Sequence, residues 1–320
     1  MRSTCMLCLI APALLALPHA AAADFPSRPI RMVVAAPPGS GLDLTVRTLA
    51  ERMHTDLGTP VIVENRPGAD GIIAAQHVAA APPDGHVLLA ASPAQMTINP
   101  VLRDRLPYDP ARDFVPVSMI SHVPLVVVVN PAVPATSVGE LAALSNARRG
   151  QLDYGSGSST FMFATELFAR RSGADLRHVP YNGVPPVVAA LLAGDVQVGL
   201  VNLPPAIAHI RAGRLRALAV TGSAREATLP DVPTLAEAGV TRYEFAVWVG
   251  AFAPAGTPAD VVATLNAAIA KALDAPEVRD RLVDAGIVPV KSSPEELAET
   301  VRRERALVQA VASSAGIGAK

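Results

Sequence analysis

The sequence predicts an α/β protein made of two units with a cleft between them. Three observations lead there. Short apolar runs alternate with stretches whose apolar residues recur at helical spacing, and Gly- or Pro-rich turns separate the two kinds. That alternation breaks after residue 91, resumes near 137, and gives way to a third stretch near 243, so the chain leaves its first unit and returns. Half of the residues are hydrophobic and the mean hydropathy is +0.34. Yet no apolar run reaches the about 18–20 residues that a membrane span needs. An excess spread thinly, much of it Ala and Val, suits fully buried strands.

The elements follow in order. Residues 1–23 read as an export signal: Arg2 is the basic start, residues 6–17 the apolar run, Pro18-His19 the break and residues 20–23 the small side chains before cleavage at Asp24. Cys5 and Cys8 both lie inside it, and Cys8 comes too early to be a lipid-anchor cysteine. The rest of the chain has no thiol for a disulfide, a nucleophile or a metal. Residues 30–36 read as a buried strand and 37–41 as a turn. Residues 42–57 follow as a helix with Leu42, Val46, Leu49, Ala50, Met53 and Leu57 on one face, ended by Gly58. A strand at 60–64, a turn at 66–71, a helix at 72–80, a turn at 82–85 and a strand at 86–91 complete a βαβαβ pattern, the mark of a parallel, doubly wound sheet. Residues 107–116, rich in Pro, Asp and Arg, read as surface loop, and 117–129 as two apolar runs broken by His122 and Pro124.

The second unit opens with a helix at 137–148, capped by Ser137. Strands are expected at 152–154, 178–181, 196–201 and 215–221, and helices at 161–171, 185–193 and 205–212. A Gly/Ser loop spans 155–160. The third stretch holds a strand at 245–252, a turn at 254–258 and helices at 259–273, 276–285 and 294–313; the last two begin with Pro and an acidic residue, as helix starts favour. The crossings divide the chain into one lobe of residues 24–123 and 247–320 and a second of 124–246.

Several chemistries find no support. Formal net charge is −1, without the clustered basic surface that nucleic acid requires. The basic residues are 24 Arg and 3 Lys, a bias of composition. His54, His77, His86, His122, His178 and His209 show no metal-ligand spacing. Gly39-Ser40-Gly41 begins like a dinucleotide loop, but Leu44 stands at the third Gly position, and there is no Gly-Lys-Ser/Thr. Gly155-Ser156-Gly157-Ser158-Ser159 misses the Gly-x-Ser-x-Gly nucleophile elbow.

Three loops remain, each after an expected strand and before an expected helix: residues 37–43, 92–97 and 156–160. Small and hydroxyl-bearing residues there let backbone N–H groups approach an anion, and a helix N-terminus favours it. Each loop taken alone reads more readily as an ordinary βα turn with Ser and Thr caps, and Asp43 as a cap or turn residue, because a bare carboxylate would repel an anion. Tyr181-Asn182-Gly183 and Asn202-Leu203-Pro204-Pro205 offer further polar groups at the same edge. Trp248 reads as core or as cleft wall.

A set of motifs then points to a family. Pro26-Ser27-Arg28-Pro29-Ile30-Arg31-Met32-Val33-Val34 followed by Pro37-Pro38-Gly39, Val63-Glu64-Asn65-Arg66-Pro67-Gly68-Ala69 and Pro82-Pro83-Asp84-Gly85 belong to it. So do Leu106-Pro107-Tyr108-Asp109-Pro110, His178-Val179-Pro180-Tyr181, residues 215–221, residues 229–234 and Ala253-Pro254-Ala255-Gly256-Thr257-Pro258. Together they make the chain resemble the solute-binding receptors of tripartite tricarboxylate transporters, the Bug receptors, from residue 26 almost to its end. The resemblance implies a two-lobed, type II periplasmic-binding-protein fold with the ligand cleft between lobes. It implies a periplasmic receptor that needs no cofactor or metal, captures a small organic acid without catalysis and delivers it to membrane permease subunits. Presentation to a membrane sensor kinase, or an exported hydrolase, are the alternatives.

In that family loop amides, hydroxyls and ordered water hold the carboxylate, a wet arrangement adequate for affinity. Carried over, the site comprises Ala36, Pro38, Gly39, Ser40, Gly41, Leu42 and Asp43 from the first loop, and Ser92 and Ala94 from the next. Ser156, Ser158, Ser159, Thr160 and Met162 come from the third, with Tyr181, Gly183, Val201, Asn202 and Trp248 beyond. This chain departs from the pattern at several points. Ala36 replaces an aromatic, Leu42 a Thr, Met162 a His and Val201 an Asp, and the third loop is shorter. The lost acid argues against a ligand amino group. A carboxylic acid with an apolar or aromatic body is expected over an amino acid or citrate.

Overall fold

The first apolar run forms β1 (Ile30–Val34), in which every side chain except Arg31 is fully covered. The computed structural model describes residues 25–243 and 245–315; the export signal expected at residues 1–23 lies outside them, with both cysteines. Helix α1 (Gly41–Leu57) starts where the Ser40 hydroxyl accepts a bond from the Asp43 amide, and stops at Gly58, whose φ of 64° suits a residue without Cβ. It buries Val46, Leu49 and Met53 completely, each contributing about 1.5–3 kcal/mol of apolar burial. Strand β2 (Val61–Asn65), a 3-10 turn (Ala69–Gly71), α2 (Ile72–Ala79) and β3 (Val87–Ala91) complete the expected βαβαβ unit.

Beyond β3 the structure departs from the expectation. The stretch after residue 92 is a π-turn (Ala94–Ile98) running into the short α3 (Asn99–Leu102). The Pro-rich segment expected to be surface loop contains α4 (Pro110–Asp113), and its Tyr108 is buried, with its hydroxyl donating to the Gln95 carbonyl at 2.9 Å. Then β4 (Phe114–Val123) and β5 (Leu125–Val129) follow with only Pro124 between them.

The remaining elements keep the expected order. They are α5 (Val138–Ala147), β6 (Asp153–Ser156), α6 (Ser159–Ser172), β7 (Arg177–Pro180), α7 (Val184–Ala193), β8 (Val198–Asn202), α8 (Leu203–Arg211) and β9 (Arg216–Val220). After them come β10 (Val247–Pro254), α9 (Ala259–Asp274), α10 (Pro276–Asp284), β11 (Val288–Pro289) and α11 (Pro294–Ala315).

Two sheets result. One has the order β11-β4-β10-β3-β1-β2, the other β7-β6-β8-β5-β9. The first is not wholly parallel: β1 runs parallel to β2 and β3, but β10 lies antiparallel between β3 and β4. In the second, β6 is parallel to β7 and β8, whereas β5 pairs antiparallel with β8 and β9. The connection through Pro124 carries the chain from the first sheet to the second, and residues 221–246 carry it back. Parallel strands with intervening helices place β1, β6, β7 and β8 so that their carboxyl ends feed helix N-termini, the usual ligand edge of an open α/β sheet.

Candidate functional site

In the first sheet's unit, the loop after β1 is built around Asp43. The Gly39 amide donates to its carboxylate at 2.8 Å, Arg47 Nε at 3.0 Å and Asn65 Nδ2 at 2.8 Å. Asn65 Nδ2 also donates to the Ala36 carbonyl at 3.1 Å, and Arg47 Nη2 to Asn65 Oδ1 at 2.8 Å. Burial pushes the Asp43 carboxyl upward, but the bonds from Arg47, Gly39 and Asn65 outweigh it and hold the group below the usual carboxylate range. Asp43 is therefore the internal anion of this loop, inside the first turn rather than at the cap, which is Ser40, and it fixes the loop before any ligand arrives.

The second loop is equally tied down. The Ser92 amide and hydroxyl both donate to Gln95 Oε1, at 2.8 and 3.1 Å, and Gln95 Nε2 donates to the Asp70 carbonyl at 3.0 Å. Under the π-turn lies a buried carboxyl. Glu304 Oε1 is 2.5 Å from Thr97 Oγ1, and Trp248 Nε1 donates to Oε2 at 2.9 Å. Thr97 Oγ1 also donates to the Pro93 carbonyl at 2.9 Å. A hydroxyl has one proton, so Thr97 divides it between the Glu304 carboxylate and the Pro93 carbonyl. Burial raises the Glu304 pKa to about 7, against the bonds from Thr97 and Trp248 that favour the ion.

The second sheet contributes its own edge. Gly157 abuts Gly183, and a Cβ on Gly157 would lie 2.4 Å from the Gly183 carbonyl carbon, so only glycine permits the approach. The Tyr181 amide donates to the Ser156 carbonyl and the Gly183 amide to the Gly157 carbonyl, which locks these loops together. Ser156 Oγ sits 2.7 Å from His178 Nε2, and the His178 ring lies 5.0 Å from that of Tyr154, whose hydroxyl donates to Glu166 at 2.6 Å. Burial lowers the His178 pKa, despite the opposing pull of Glu166. Ser156 is 3% exposed.

The helix starts here lack caps from their own N-cap residues. Ser158 at α6, Gly183 at α7 and Asn202 at α8 make no side-chain capping bond. Buried Thr160 Oγ1 and Asn202 Oδ1 have no hydrogen-bond partner. Across the seam, a Cβ on Gly41 would lie 3.4 Å from Asn202 Nδ2. The Ser159 amide donates to the Asp70 carboxylate at 3.3 and 3.4 Å, and the Ser159 hydroxyl to Asn99 Oδ1 at 3.2 Å.

The structure thus brings together residues 39–43 with Asn202, and residues 156–160 with Tyr181 and Gly183. Pro38 and Gly39 are exposed, while Ala36, Ser40, Gly41, Leu42, Ser92 and Met162 are half-buried. Ala94 is buried in the π-turn. Two residues proposed from sequence stand elsewhere. Trp248 is 1% exposed and packs with Phe252, its indole N–H consumed by Glu304, so it is core. Val201 is also 1% exposed and packs in the cluster of Val187, Val188 and Leu191, because its side chain points to the α7 face of β8. Sequence reasoning missed Arg47, Asn65, Asp70, Gln95, Asn99 and His178. Asn65 and His178 lay inside recognised motifs; Asp70 carried a signal too, standing between Gly68 and Gly71 in a turn.

A cavity of about 140 Å³, lined by Asn130, Val133, Leu144, Arg148 and Gln197, lies at the opposite end of the second sheet. Among the described residues no group of His, Cys, Asp and Glu is placed to hold a metal ion, and no helix is long and apolar enough to cross a membrane.

Comparison with known proteins meets this geometry. A family model described as tripartite tricarboxylate transporter family receptor matches residues 45–313. Protein BugT of Bordetella pertussis is 37% identical over 292 residues, covering 89% of this chain and 90% of that protein. The structure of R. palustris Rpa4515 with adipate aligns with a TM-score of 0.85 at 36% identity, covering 93% of this chain and 100% of that one. MatC from Rhodopseudomonas palustris with bound malate aligns with a TM-score of 0.80 at 32% identity, covering 90% and 99%.

Proposed function

This chain belongs to the tripartite tricarboxylate transporter receptor family, and on that premise we propose that it captures a small organic carboxylate between its two lobes in the periplasm and hands it to a membrane permease. The observation that carries the reading is the convergence of helix starts without caps from their own N-cap residues. Residues 39–43 of one sheet's unit meet Asn202 of the other, where α8 begins without a side-chain cap and the buried Asn202 Oδ1 lacks a partner, while Ser159 at the start of α6 meets Asp70 and Asn99 of the first unit. Backbone N–H groups and helix dipoles at such a seam favour an anion. Two relatives holding adipate and malate support the ligand class.

The lobes correspond in this reading to residues 24–123 with 247–320, and 124–246. The ligand body faces Leu42 and Met162, both half-buried and apolar. An acid with an apolar or aromatic body fits them better than an amino acid or citrate. The receptor binds without turnover: Ser156 and His178 form the one Ser–His contact among the described residues at this edge, but the Ser is covered.

Titration calorimetry against aromatic acids, aliphatic acids, aspartate, glutamate and citrate tests this. Binding of aromatic or aliphatic acids is the expected result. Tight aspartate, glutamate or citrate binding with none to aromatic acids would overturn the ligand assignment. Turnover of an ester panel above buffer would overturn the non-catalytic reading. Small-angle scattering with and without ligand reads lobe closure, and no compaction counts against it.

A further inference from the structure

Asp70 lies in the turn that precedes α2, at φ 56° and ψ 36°, directly after Ala69 at φ 48°. Two successive residues with Cβ atoms in the left-handed region persist only where surroundings hold them. Here Gln95 Nε2 and Asn99 Nδ2 both donate to the Asp70 carbonyl, at 3.0 and 3.2 Å. The backbone so fixed aims the side chain across the seam, where both carboxylate oxygens share the Ser159 amide. Ser159 is the first residue of α6, a helix of 14 residues. Three features show that this helix start is built to take an anion from outside its own loop. Its N-cap residue Ser158 makes no capping bond. The cap comes from the opposite unit. And the Thr160 hydroxyl beside it, in a residue 2% exposed, has no partner.

We infer that Asp70 occupies the anion position at the start of α6 from the opposite lobe, and thereby makes the receptor select acids with a single carboxylate. The inference rests on the receptor reading above and deepens it by naming the substrate class. A ligand with carboxylates at both ends, one at the loop of residues 39–43 and one toward α6, brings its second charge against Asp70. Like charges opposed in a desolvated seam are a specificity device that works by rejection. A monocarboxylate of the same length presents only its apolar end there, in keeping with Leu42 and Met162.

The test uses the full exported chain, its Asp70→Gly and Asp70→Asn variants, and calorimetry with acid pairs that share one body and differ by one carboxylate. Hexanoate with adipate is one pair, phenylacetate with phenylenediacetate another. Asparagine also tolerates the left-handed region, and glycine relieves it, so both variants keep the turn. Thermal melting of each unliganded variant checks that they fold. The wild type is expected to bind the monoacid at least about tenfold more tightly than its diacid partner, and both variants to shift the mono-to-diacid ratio by about tenfold toward the diacid. The Ser159 amide resonance of the unliganded protein is expected to shift in Asp70→Asn. A mono-to-diacid ratio unchanged in both variants overturns the inference and leaves the receptor reading standing. Failure of every acid to bind the wild type overturns the receptor reading, and the inference with it.

Discussion

The two sides of the seam are built on opposite principles. In the loops and the α11 contact on the side of the six-stranded sheet the polar side chains are paired: Asp43 with Gly39, Arg47 and Asn65, Gln95 with Ser92 and Asp70, and Glu304 with Thr97 and Trp248, while the unpartnered atoms of that unit, on Thr48, His86 and Ser121, lie elsewhere. On the side of the five-stranded sheet α6, α7 and α8 make no capping bond through their own N-cap residues, and Thr160 and Asn202 hold unpartnered oxygens. A saturated network is rigid, because moving any member breaks several bonds. Unsatisfied buried groups cost stability and create demand for a partner. The difference teaches that one face presents a fixed surface while the other supplies the unmet hydrogen bonding, so the two faces respond to mutation in opposite ways.

The largest expected effect tests the saturated face by pH. The Glu304 carboxyl is raised from its ordinary 4.5 to about 7. A folded pKa above the unfolded one means that the folded state binds the extra proton. Its contribution to stability is fully present below pH 4.5 and is lost as pH rises to about 7. The loss amounts to at most about 3 kcal/mol. Glu304→Gln removes the titrating group and is expected to flatten that dependence, measured as urea midpoints across the range. An equal slope in both proteins would show that Glu304 carries no strain.

Next comes Asp43→Ala. It strands the Gly39, Arg47 and Asn65 donors and is expected to cost about 2 kcal/mol, discounted because Arg47 is 44% exposed. Ligand affinity should fall with it, since the loop of residues 39–43 loses its anchor. Equal loss of stability with unchanged affinity would break the picture of a preset face. Asn202→Ala on the other side should do the reverse. Its Oδ1 has no partner to lose, so melting should move by under about 0.5 kcal/mol while affinity for a bound acid drops about tenfold. Smallest is Ser158→Ala: a cap position normally costs about 1 kcal/mol, but this hydroxyl caps nothing, and urea melts should show less than about half of that.

Much of this was legible in sequence. Apolar periodicity gave α1 its face of Val46, Leu49 and Met53, and the Gly-Ser start gave its cap. The motifs 63–69 and 178–181 marked the right neighbourhoods. What stayed hidden was non-local. Nothing in residues 247–254 says that they pair antiparallel between β3 and β4, because pairing direction is decided by the connection and not by the strand. In sequence Trp248 stays open between core and cleft wall, and Val201 enters through the family resemblance; a two-residue period puts each on the other face. Asp70 escaped because its role rests on Ser159, 89 positions away. Glu304 escaped because a Glu on an amphipathic helix reads as solvent-facing until its partners Thr97 and Trp248 are known.

The position of β10 has a consequence for how the chain comes into being. Its partners β3 and β4 are made early, but the slot between them stays open until residue 254 exists. Closure of the six-stranded sheet therefore waits on contacts of long sequence separation, which form slowly. A nascent chain of this topology keeps its main core unsealed until β10 has been made. A truncation before residue 247 deletes the strand between β3 and β4, leaving two unbridged edges rather than a shortened protein.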